Sequence, residues 1–436
     1  YQRLVTFEVN GGGFSWFGEP PAHKILTAYG LLEFKDMSEV YDVDENLISR
    51  TAQWLVGQQQ ADGSWKPDQG GIAEGAINRY QTDVVRITSY IGWALARAGA
   101  DRAAVDRAAE YVQKNYAATK DPYGLAVTAL FLLQRNPKDP TAKDVLKRLF
   151  DLRTEDADTL FWKQEEPTAV YSEGPSANVE TTALATLAYL RDPQYGAAVG
   201  KMLTYIVKQK DPRGTWYSTQ ATIWALKAFI EALGGQRQHA DAVVDVTLNG
   251  KAMQQVTLND GNADVVQLFN LTDASTAGQN RLQLKMKGEA QALFALVARY
   301  AVPWKAQRAE ALEITVQYDK TTLEVDDTAR ADVAIRSHLQ KDAEMVIVDL
   351  GIPPGFRIST ADLDALVEKN TMEKYSLTGR QAILYFKRIA AGSEVRFSVR
   401  FTARFPIKAG SMPVRVYEYY NPQREHNAVP VQFTVN

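Results

Sequence analysis

The stretch Trp54–Trp65, WLVGQQQADGSW, decides how the first half of this chain folds. An apolar helical run ends in three glutamines, and an Asp-Gly turn, Ser64 and Trp65 follow. Gly63 can take the positive φ that ends a helix, and we expect Trp65 to fold back as an apolar plug. The stretch therefore predicts a helical hairpin that is closed by a buried tryptophan.

Two cruder copies of this pattern occur elsewhere in the chain. GGGFSW occupies residues 11–16, and RGTW occupies residues 213–216. Each copy comes just before a new helical stretch or just after an old one. Such a repeat is typical of helical hairpins arranged around a common centre. The alternative is three unrelated turns that each combine glycine with an aromatic residue.

Helical periodicity continues from Tyr1 to about Gly235 and predicts about nine helices. Asp44 is a good N-cap for the second, and Thr82 or Asp83 opens the third. Three later helices are rich in Ala, Leu and Thr almost all round, which predicts an inner ring; they are Tyr123–Gln134, Val179–Leu190 and Ser218–Leu233. The other helices carry more charge and should face water. Residues 1–235 are therefore predicted to form an α/α toroid.

Strand-like alternation replaces the helical period after Gly235. Val243–Leu248 and Met253–Leu258 flank Asn249-Gly250, a strong hairpin signal. Further strands are predicted in residues 236–304 at Val265–Asn270, Arg281–Lys287 and Leu293–Ala301. Residues 305–436 contain about seven short strands and one helical insert, Thr360–Lys369, which Thr360 can cap. This pattern favours a β-sandwich of immunoglobulin-like architecture.

Composition excludes several classes of function. The net charge is −3 and there is no basic block, so nucleic acid is not expected as a partner. The chain has no cysteine and only four dispersed histidines, so neither a metal site nor a catalytic triad is predicted. We expect no cofactor. No apolar run reaches the roughly 18 residues needed to span a bilayer. The first residue is Tyr rather than Met, so we expect a fragment or a processed chain.

Two motifs invite an enzymatic interpretation. Asp42-Val43-Asp44-Glu45 is similar to the acidic motif of class II terpene cyclases, which are also α/α toroids. An olefin-protonating acid must lie deep in an apolar cavity, whereas these residues precede a helix and are expected to cap it. Asn78-Arg79-Tyr80 could serve a polysaccharide lyase, although a polar loop before a helix is the simpler interpretation. We predict no catalytic residues.

Five segments in order resemble the C-terminal part of α2-macroglobulins, relatives of the complement thioester proteins. The segments are Tyr1-Gln2-Arg3 with GGGFSWFGE, Trp54–Gly63, Tyr217–Leu226, Ile347–Phe356 and Arg415–Tyr420. The resemblance implies a toroidal thioester domain (1–235), the C-terminal half of a CUB-like domain (236–304) and a receptor-binding-like β-sandwich (305–436). Because the chain has no cysteine, it resembles the bacterial members of the family more than the animal members, which are disulfide-bonded.

The resemblance implies a protease inhibitor, not an enzyme. In such proteins a protease cuts a bait segment, and an exposed Cys–Gln thioester then acylates the protease. The Cys-x-Glu-Gln motif is expected upstream of Tyr1, since this chain has no cysteine. Expected partners are target proteases, bound covalently through that thioester, and upstream macroglobulin domains of the same chain. The expected location is periplasmic or extracellular, with any membrane contact through an N-terminal lipid anchor outside this chain.

Two departures from the family pattern bear on function. The position equivalent to the complement transfer histidine is Glu74, so direct attack by amines is expected. The two receptor-binding lysines of animal macroglobulins correspond to Thr360 and Asp364, which argues against binding of that kind. A toroid enzyme of the lyase or cyclase type and a structural or adhesive homologue without a thioester remain as alternatives.

Overall fold

A computed structural model describes the following residues: 1–9, 11–16, 18–68, 83–211, 214–234, 240–262, 265–290, 292, 294, 296–298, 300, 309–419 and 421–436. The chain divides into two compact units. The larger unit combines Tyr1–Ala228 with Tyr300–Asn436, and the smaller is Phe229–Arg299. The helical first part and the β-sheet domains that follow it agree with the predicted fold class.

Ten described helices precede the first long strand. They are α1 Gln2–Val5, α2 Lys24–Met37, α3 Glu45–Gly57, α4 Val84–Ala98, α5 Arg102–Asn115, α6 Pro122–Arg135, α7 Pro140–Asp151, α8 Gly174–Tyr189, α9 Gly196–Lys208 and α10 Thr219–Gly234. Two short strand pairs lie among them, β1 Glu8–Val9 with β2 Gly13–Phe14, and β3 Thr154–Glu155 with β4 Leu160–Phe161. Asp44 and Asp83 cap α3 and α4, as predicted.

The helices form an inner and an outer set. Helices α4, α6 and α8 are buried almost all round, whereas α3, α5, α7 and α9 each bury one stripe. The prediction was right for α6 and α8 but left α4 out of the inner set. It was wrong for α10, which buries only four residues and leaves Leu226 and Ile230 exposed. The apolar composition of a helix therefore did not show whether the helix is buried on all sides, like α8, or leaves an apolar face exposed, like α10.

Trp65 closes the second hairpin as predicted. Its side chain is fully buried, and its indole N–H donates to the carbonyl of Leu55 at 2.7 Å. Its backbone N–H donates to Thr88 Oγ1 at 3.1 Å, on the next inner helix. Gly63 has a φ of +89°, and a Cβ there would lie 2.3 Å from the carbonyl oxygen of Arg107. The turn therefore requires glycine for both its conformation and its packing.

The same closure recurs around the ring. Trp216 donates from its indole to the carbonyl of Ile206 at 2.6 Å and from its backbone to Thr222 Oγ1 at 3.1 Å. In the first hairpin the backbone N–H of Phe14 donates to Thr27 Oγ1 at 2.8 Å. A further copy, not predicted, links Trp162 to the carbonyl of Leu149 and to Thr182 Oγ1. The copies at Trp65, Trp162 and Trp216 therefore share both bonds. The first copy has only the backbone bond to a threonine, and Trp16 Nε1 has no hydrogen-bond partner among the described residues.

The smaller unit contains a three-stranded antiparallel sheet. Its strands are β5 Asp241–Leu248, β6 Lys251–Asn259 and β7 Leu282–Glu289, in the order β6-β5-β7. Asn249 and Gly250 form the predicted turn with φ of 53° and 80°. The strand predicted at 265–270 was wrong, because those residues form no strand. The segment 293–301 lies partly outside the described residues, and its described members are not in a strand. The CUB-like assignment stays a prediction.

The last 128 or so residues form a β-sandwich. Its strands are β8 Leu312–Tyr318, β9 Thr322–Leu323, β10 Thr328–Ser337, β11 Ala343–Gly351, β12 Phe356–Ile358, β13 Lys374–Leu377, β14 Gln381–Ile389, β15 Glu394–Ala403, β16 Ile407–Gly410, β17 Val414–Glu418, β18 Asn421–Ala428 and β19 Gln432–Val435. One sheet has the order β12-β15-β10-β8, a second has β13-β14-β11-β17-β18, and a third has β16-β19-β9. Buried side chains such as Val348, Leu384 and Phe401 form the core.

Three sequence predictions in the sandwich need correction: the cap of the helical insert, the number of strands and the start of the last strand. The helical insert is present as α11 Thr360–Glu368, but its N-cap is Ser359, whose hydroxyl accepts from the backbone of Asp362. Five of the twelve described strands were not predicted, namely β9, β12, β13, β16 and β18. The last strand begins at Gln432 rather than Val429. The polar composition of β18 hid it, since only one of its faces contacts the core. The domain boundaries at 235 and 304 stay predictions.

Candidate functional site

The N-terminal ends of α2, α4, α6, α8 and α10 meet at one end of the toroid, which we call the rim. The rim is defined by the residues that cap or precede these helices: His23, Asp83, Asp121, Glu173 and Ser218. Thr119 Oγ1 donates to Asp83 Oδ2 at 3.4 Å, and Ser176 Oγ donates to Ser218 Oγ at 2.7 Å. The caps of neighbouring helices are therefore linked to one another.

One loop crosses the whole rim. Residues 163–173, the rim loop, connect β4 to α8, and most of them are buried. The loop satisfies part of its own backbone: the Thr168 N–H donates to the carbonyl of Ser172 at 3.1 Å, and the Tyr171 N–H donates to the carbonyl of Thr168 at 3.0 Å. A buried loop needs such bonds, because unpaired backbone groups are costly away from water.

The rim loop contacts α4, α6 and α10 through polar groups. Gln164 Nε2 donates to Asp121 Oδ1 at 3.2 Å, at the start of α6. The carbonyl of Pro167 accepts from Arg86 Nη1 at 3.1 Å, on α4. Ser172 Oγ lies 3.4 Å from Ser218 Oγ, which caps α10. A single segment thus connects helices that are far apart in sequence.

Tyr171 joins the loop to α2 with an uncommon backbone conformation. Its φ is 69°, a region that costs a bulky residue energy, and functional sites often contain such residues. Its hydroxyl lies 3.4 Å from Nε2 of His23, the N-cap of α2. Nδ1 of His23 lies 3.3 Å from the backbone nitrogen of Leu26 and 3.4 Å from Oδ2 of Asp68. Burial lowers the pKa of His23, with a smaller opposing effect of Asp68.

Glu180 is the buried carboxyl beneath the rim loop. It is 0% exposed, and burial raises its pKa to about 7. The hydroxyl groups of Ser172, Thr168 and Tyr123 face it and partly oppose that increase. Only Thr168 Oγ1, at 3.2 Å from Oε2, has full hydrogen-bond geometry, and Oε1 has no hydrogen-bond partner among the described residues. Near neutral pH this group can gain or lose a proton inside the toroid.

Large buried side chains of α4, α6 and α10 pack inside the toroid. Tyr90 and Tyr123 are fully buried, and burial raises the pKa of each well above 10. Trp93 of α4 and Trp224 of α10 have ring centroids 5.2 Å apart, and both are buried. At these described residues the packing is dense and aromatic, unlike the open polar cavity typical of lyases and cyclases with this architecture.

The sandwich docks on the rim at the end of the loop. Glu173 Oε2 lies 3.6 Å from Lys341 Nζ and 3.9 Å from Arg424 Nη1. Next to it, the side-chain amide of Asn421 lies 3.7 Å from the place where a Cβ on Gly174 would stand. Rim loop, toroid and sandwich therefore meet at one place.

The residues predicted for enzymatic or transfer roles do not gather at the rim in the part of the chain that the structure describes. Glu74 and the triplet 78–80 lie outside the described residues. Asp42, Asp44 and Glu45 are exposed, and Asp44 accepts from the backbone of Asn46 at 2.9 Å, so the helix-cap interpretation is correct and the cyclase acid is not.

The described histidines each contact a different residue of the fold. His338 Nε2 lies 2.8 Å from Glu313, and His426 Nδ1 accepts from the backbone of Ile314, while His239 lies outside the described residues. Among the residues that the structure places, no three acids or histidines are grouped to hold a metal. The described helices include none with the length and apolarity to cross a membrane.

Sequence reasoning missed both the rim loop and Glu180. The loop has neither helical nor strand periodicity, and its partners are up to 251 residues away along the chain (173 to 424). One signal was available: Glu180 is the only charged residue between Gly174 and Tyr189, in a helix otherwise composed of small, apolar and uncharged polar residues. A single carboxyl in such a helix indicates a buried polar contact.

Comparisons with known proteins cover both parts of the larger unit. The family model described as "A-macroglobulin TED domain" matches residues 1–231, and the model described as "A-macroglobulin receptor binding domain" matches residues 341–429. Ovostatin from Gallus gallus is 24% identical over 97% of this chain and 30% of its own length. Complement C3 from Oncorhynchus mykiss is 24% identical over 97% of this chain and 26% of its own length.

Solved structures show the same fold. The Salmonella alpha-2-macroglobulin mutant Y1175G matches with a TM-score of 0.66 and 14% identity, over 100% of this chain and 27% of that one. The native conformation of alpha-2-macroglobulin from E. coli matches with a TM-score of 0.66 and 15% identity, over 100% of this chain and 26% of that one. The chain thus spans about a quarter to three tenths of the length of these relatives.

Proposed function

The chain belongs to the A-macroglobulin family, and from this membership we propose that it is the C-terminal part of a protease-trapping inhibitor rather than of an enzyme. The observation that carries the proposal is the order of the two matched domains, a thioester-type domain over residues 1–231 and a receptor-binding domain over 341–429. The docking of the second on the rim of the first supports it, since a trap must change the relation of its domains when its bait is cut.

The proposed chemistry is acyl transfer from a thioester to an amine of the protease. The amine attacks the thioester carbonyl, an amide bond forms to the glutamine side chain, and the cysteine thiolate leaves and is protonated. Residues 1–436 contain no cysteine, so the proposal assigns the Cys–Gln pair to a part of the protein outside these residues. Glu74 cannot form an acyl-imidazole, which favours direct attack by amines over transfer to hydroxyls.

We further propose a bacterial protein of the periplasm or the cell exterior, with proteases and preceding macroglobulin domains as partners. Clearance-receptor binding through the sandwich helix is not part of the proposal. At the two relevant positions, Thr360 begins α11, and Asp364 accepts from the hydroxyl of Tyr375 at 2.6 Å. Neither presents the cation that such binding would need.

The test uses the longer protein that includes these residues. Incubation with trypsin is expected to give a protein–trypsin conjugate that survives boiling in detergent, and pretreatment with methylamine should abolish it. The purified 436-residue chain is the matched control, and mass spectrometry should find no methylamine adduct on any of its glutamines. A longer protein that lacks Cys-x-Glu-Gln and forms no conjugate would identify a structural or adhesive homologue instead.

A further inference from the structure

Glu173 occupies the N-cap position of α8, but its side chain does not cap the helix. N-cap residues normally accept from the first backbone N–H groups of their helix. Here the carboxylate turns away from the helix toward the sandwich and faces two cations, Lys341 and Arg424. The carboxylate therefore serves a contact between domains and not the cap of the helix.

The sandwich supplies its two cations from different elements. Lys341 lies in the turn between β10 and β11, and Arg424 lies on β18. Arg424 Nη1 also donates to Glu418 Oε2 at 2.8 Å, within the β17–β18 hairpin. The four charges alternate in sign along the contact, from Lys341 through Glu173 and Arg424 to Glu418. The attraction of Glu173 to Lys341 and Arg424 exists only while both domains are in place.

The charged side chains at this contact are buried to different extents. Glu418 is 8% exposed at its side chain, and burial raises its pKa, an effect that Arg424 opposes and Glu173 enhances. Glu173 and Lys341 are 26% and 48% exposed, so salt can screen their attraction. The Arg424–Glu418 pair thus belongs to the sandwich itself, whereas the toroid contributes the one carboxylate of Glu173.

The backbone next to Glu173 allows close approach of the sandwich. Gly174 has a φ of +56°, and Asn421, which is 8% exposed, packs over it. Glu418 and Asn421 are paired across the β17–β18 hairpin, beside an irregularity in register. The end of the β17–β18 hairpin therefore approaches the toroid beside Glu173.

We propose that Glu173 is an electrostatic latch that holds the β-sandwich on the toroid through Lys341 and Arg424. Removal of its charge should release the sandwich while each domain remains folded. The latch is independent of the proposed thioester chemistry, because every contact lies within residues 1–436. Its failure would therefore leave the proposed function untouched, and the reverse also holds.

The absence of native cysteine allows site-specific spin labels at K143C on α7 and K387C on β14, both exposed. Pulsed electron resonance at low salt should give one narrow distance distribution for the parent chain. E173K should give a broad distribution displaced to longer distances, and 0.5 M NaCl should broaden the parent distribution in the same direction. An E173K distribution identical to that of the parent would overturn the proposal.

E165K is the matched control, since it makes the same charge change in the same loop. Glu165 is 80% exposed, and Lys163 Nζ lies 3.6 Å from its Oε1. This control should leave the distance distribution unchanged. The double variant E173K/K341E restores one pair of opposite charges and should recover most of the narrow component. Failure of this recovery would show that E173K acts through local misfolding and would also refute the latch.

Discussion

Glu180 should make the stability of the toroid depend on pH in an unusual direction. Its pKa is raised from the ordinary 4.5 to about 7 by burial, so the folded state binds this proton more tightly than the unfolded state. The stabilising effect is complete below pH 4.5 and declines as pH rises, and it is lost once pH exceeds about 7. A difference of about 2.5 pKa units corresponds to about 3 kcal/mol.

The variant E180Q isolates this effect. Glutamine has nearly the same shape and keeps an acceptor for Thr168 Oγ1, but it does not ionise. At pH 5 the free energies of unfolding of the two proteins should be within about 1 kcal/mol of each other, the size of one altered hydrogen bond. At pH 8 E180Q should be more stable, by up to about 3 kcal/mol.

The assay is urea denaturation followed by tryptophan fluorescence at pH 5, 6, 7 and 8. Seven of the eight tryptophans lie within residues 1–228, so the signal reports on the helical part. The control is E165Q, because Glu165 is 80% exposed and should change stability by no more than about 0.5 kcal/mol at any pH. Parallel stability curves for the parent chain and E180Q between pH 5 and 8 would refute the reasoning.

Two further predictions concern the hairpin closure. Trp65→Ala should lower the free energy of unfolding by about 3–5 kcal/mol, because it removes a fully buried aromatic side chain and its bond to Leu55; an unchanged thermal melting curve would contradict the plug. Gly63→Ala should lower the free energy of unfolding by at least about 1 kcal/mol, because an alanine there would have a φ of +89° and would clash with the Arg107 carbonyl. The control is Gly57→Ala, because Gly57 has open space around it. In chemical denaturation this control should cost no measurable stability.

Local signals in the sequence determined the main elements of this protein. The Asp-Gly-Ser-Trp turn predicted a buried plug at Trp65, and carboxylates before apolar runs marked the starts of α3 and α4. The change from a helical period to alternation near Gly235 placed the boundary between helices and strands. These features depend on neighbours within about ten residues along the chain, so they can be predicted from the sequence alone.

Only the tertiary structure decided which apolar helices are inner and what connects them. Helix α10 is as apolar as α8, but it leaves Leu226 exposed, because full burial depends on neighbours from other parts of the chain. The polar strand β18 was hidden for the same reason, since one pairing partner, β17, defines it.

The rim loop is the clearest case of structure that the sequence did not reveal. Thr168 contacts Glu180, Tyr171 contacts His23 at 148 residues of separation, and Glu173 faces Arg424. None of these pairs follows from periodicity or from turn chemistry. The loop acquires its conformation from burial, because each polar group removed from water must find a partner wherever the folded chain places one.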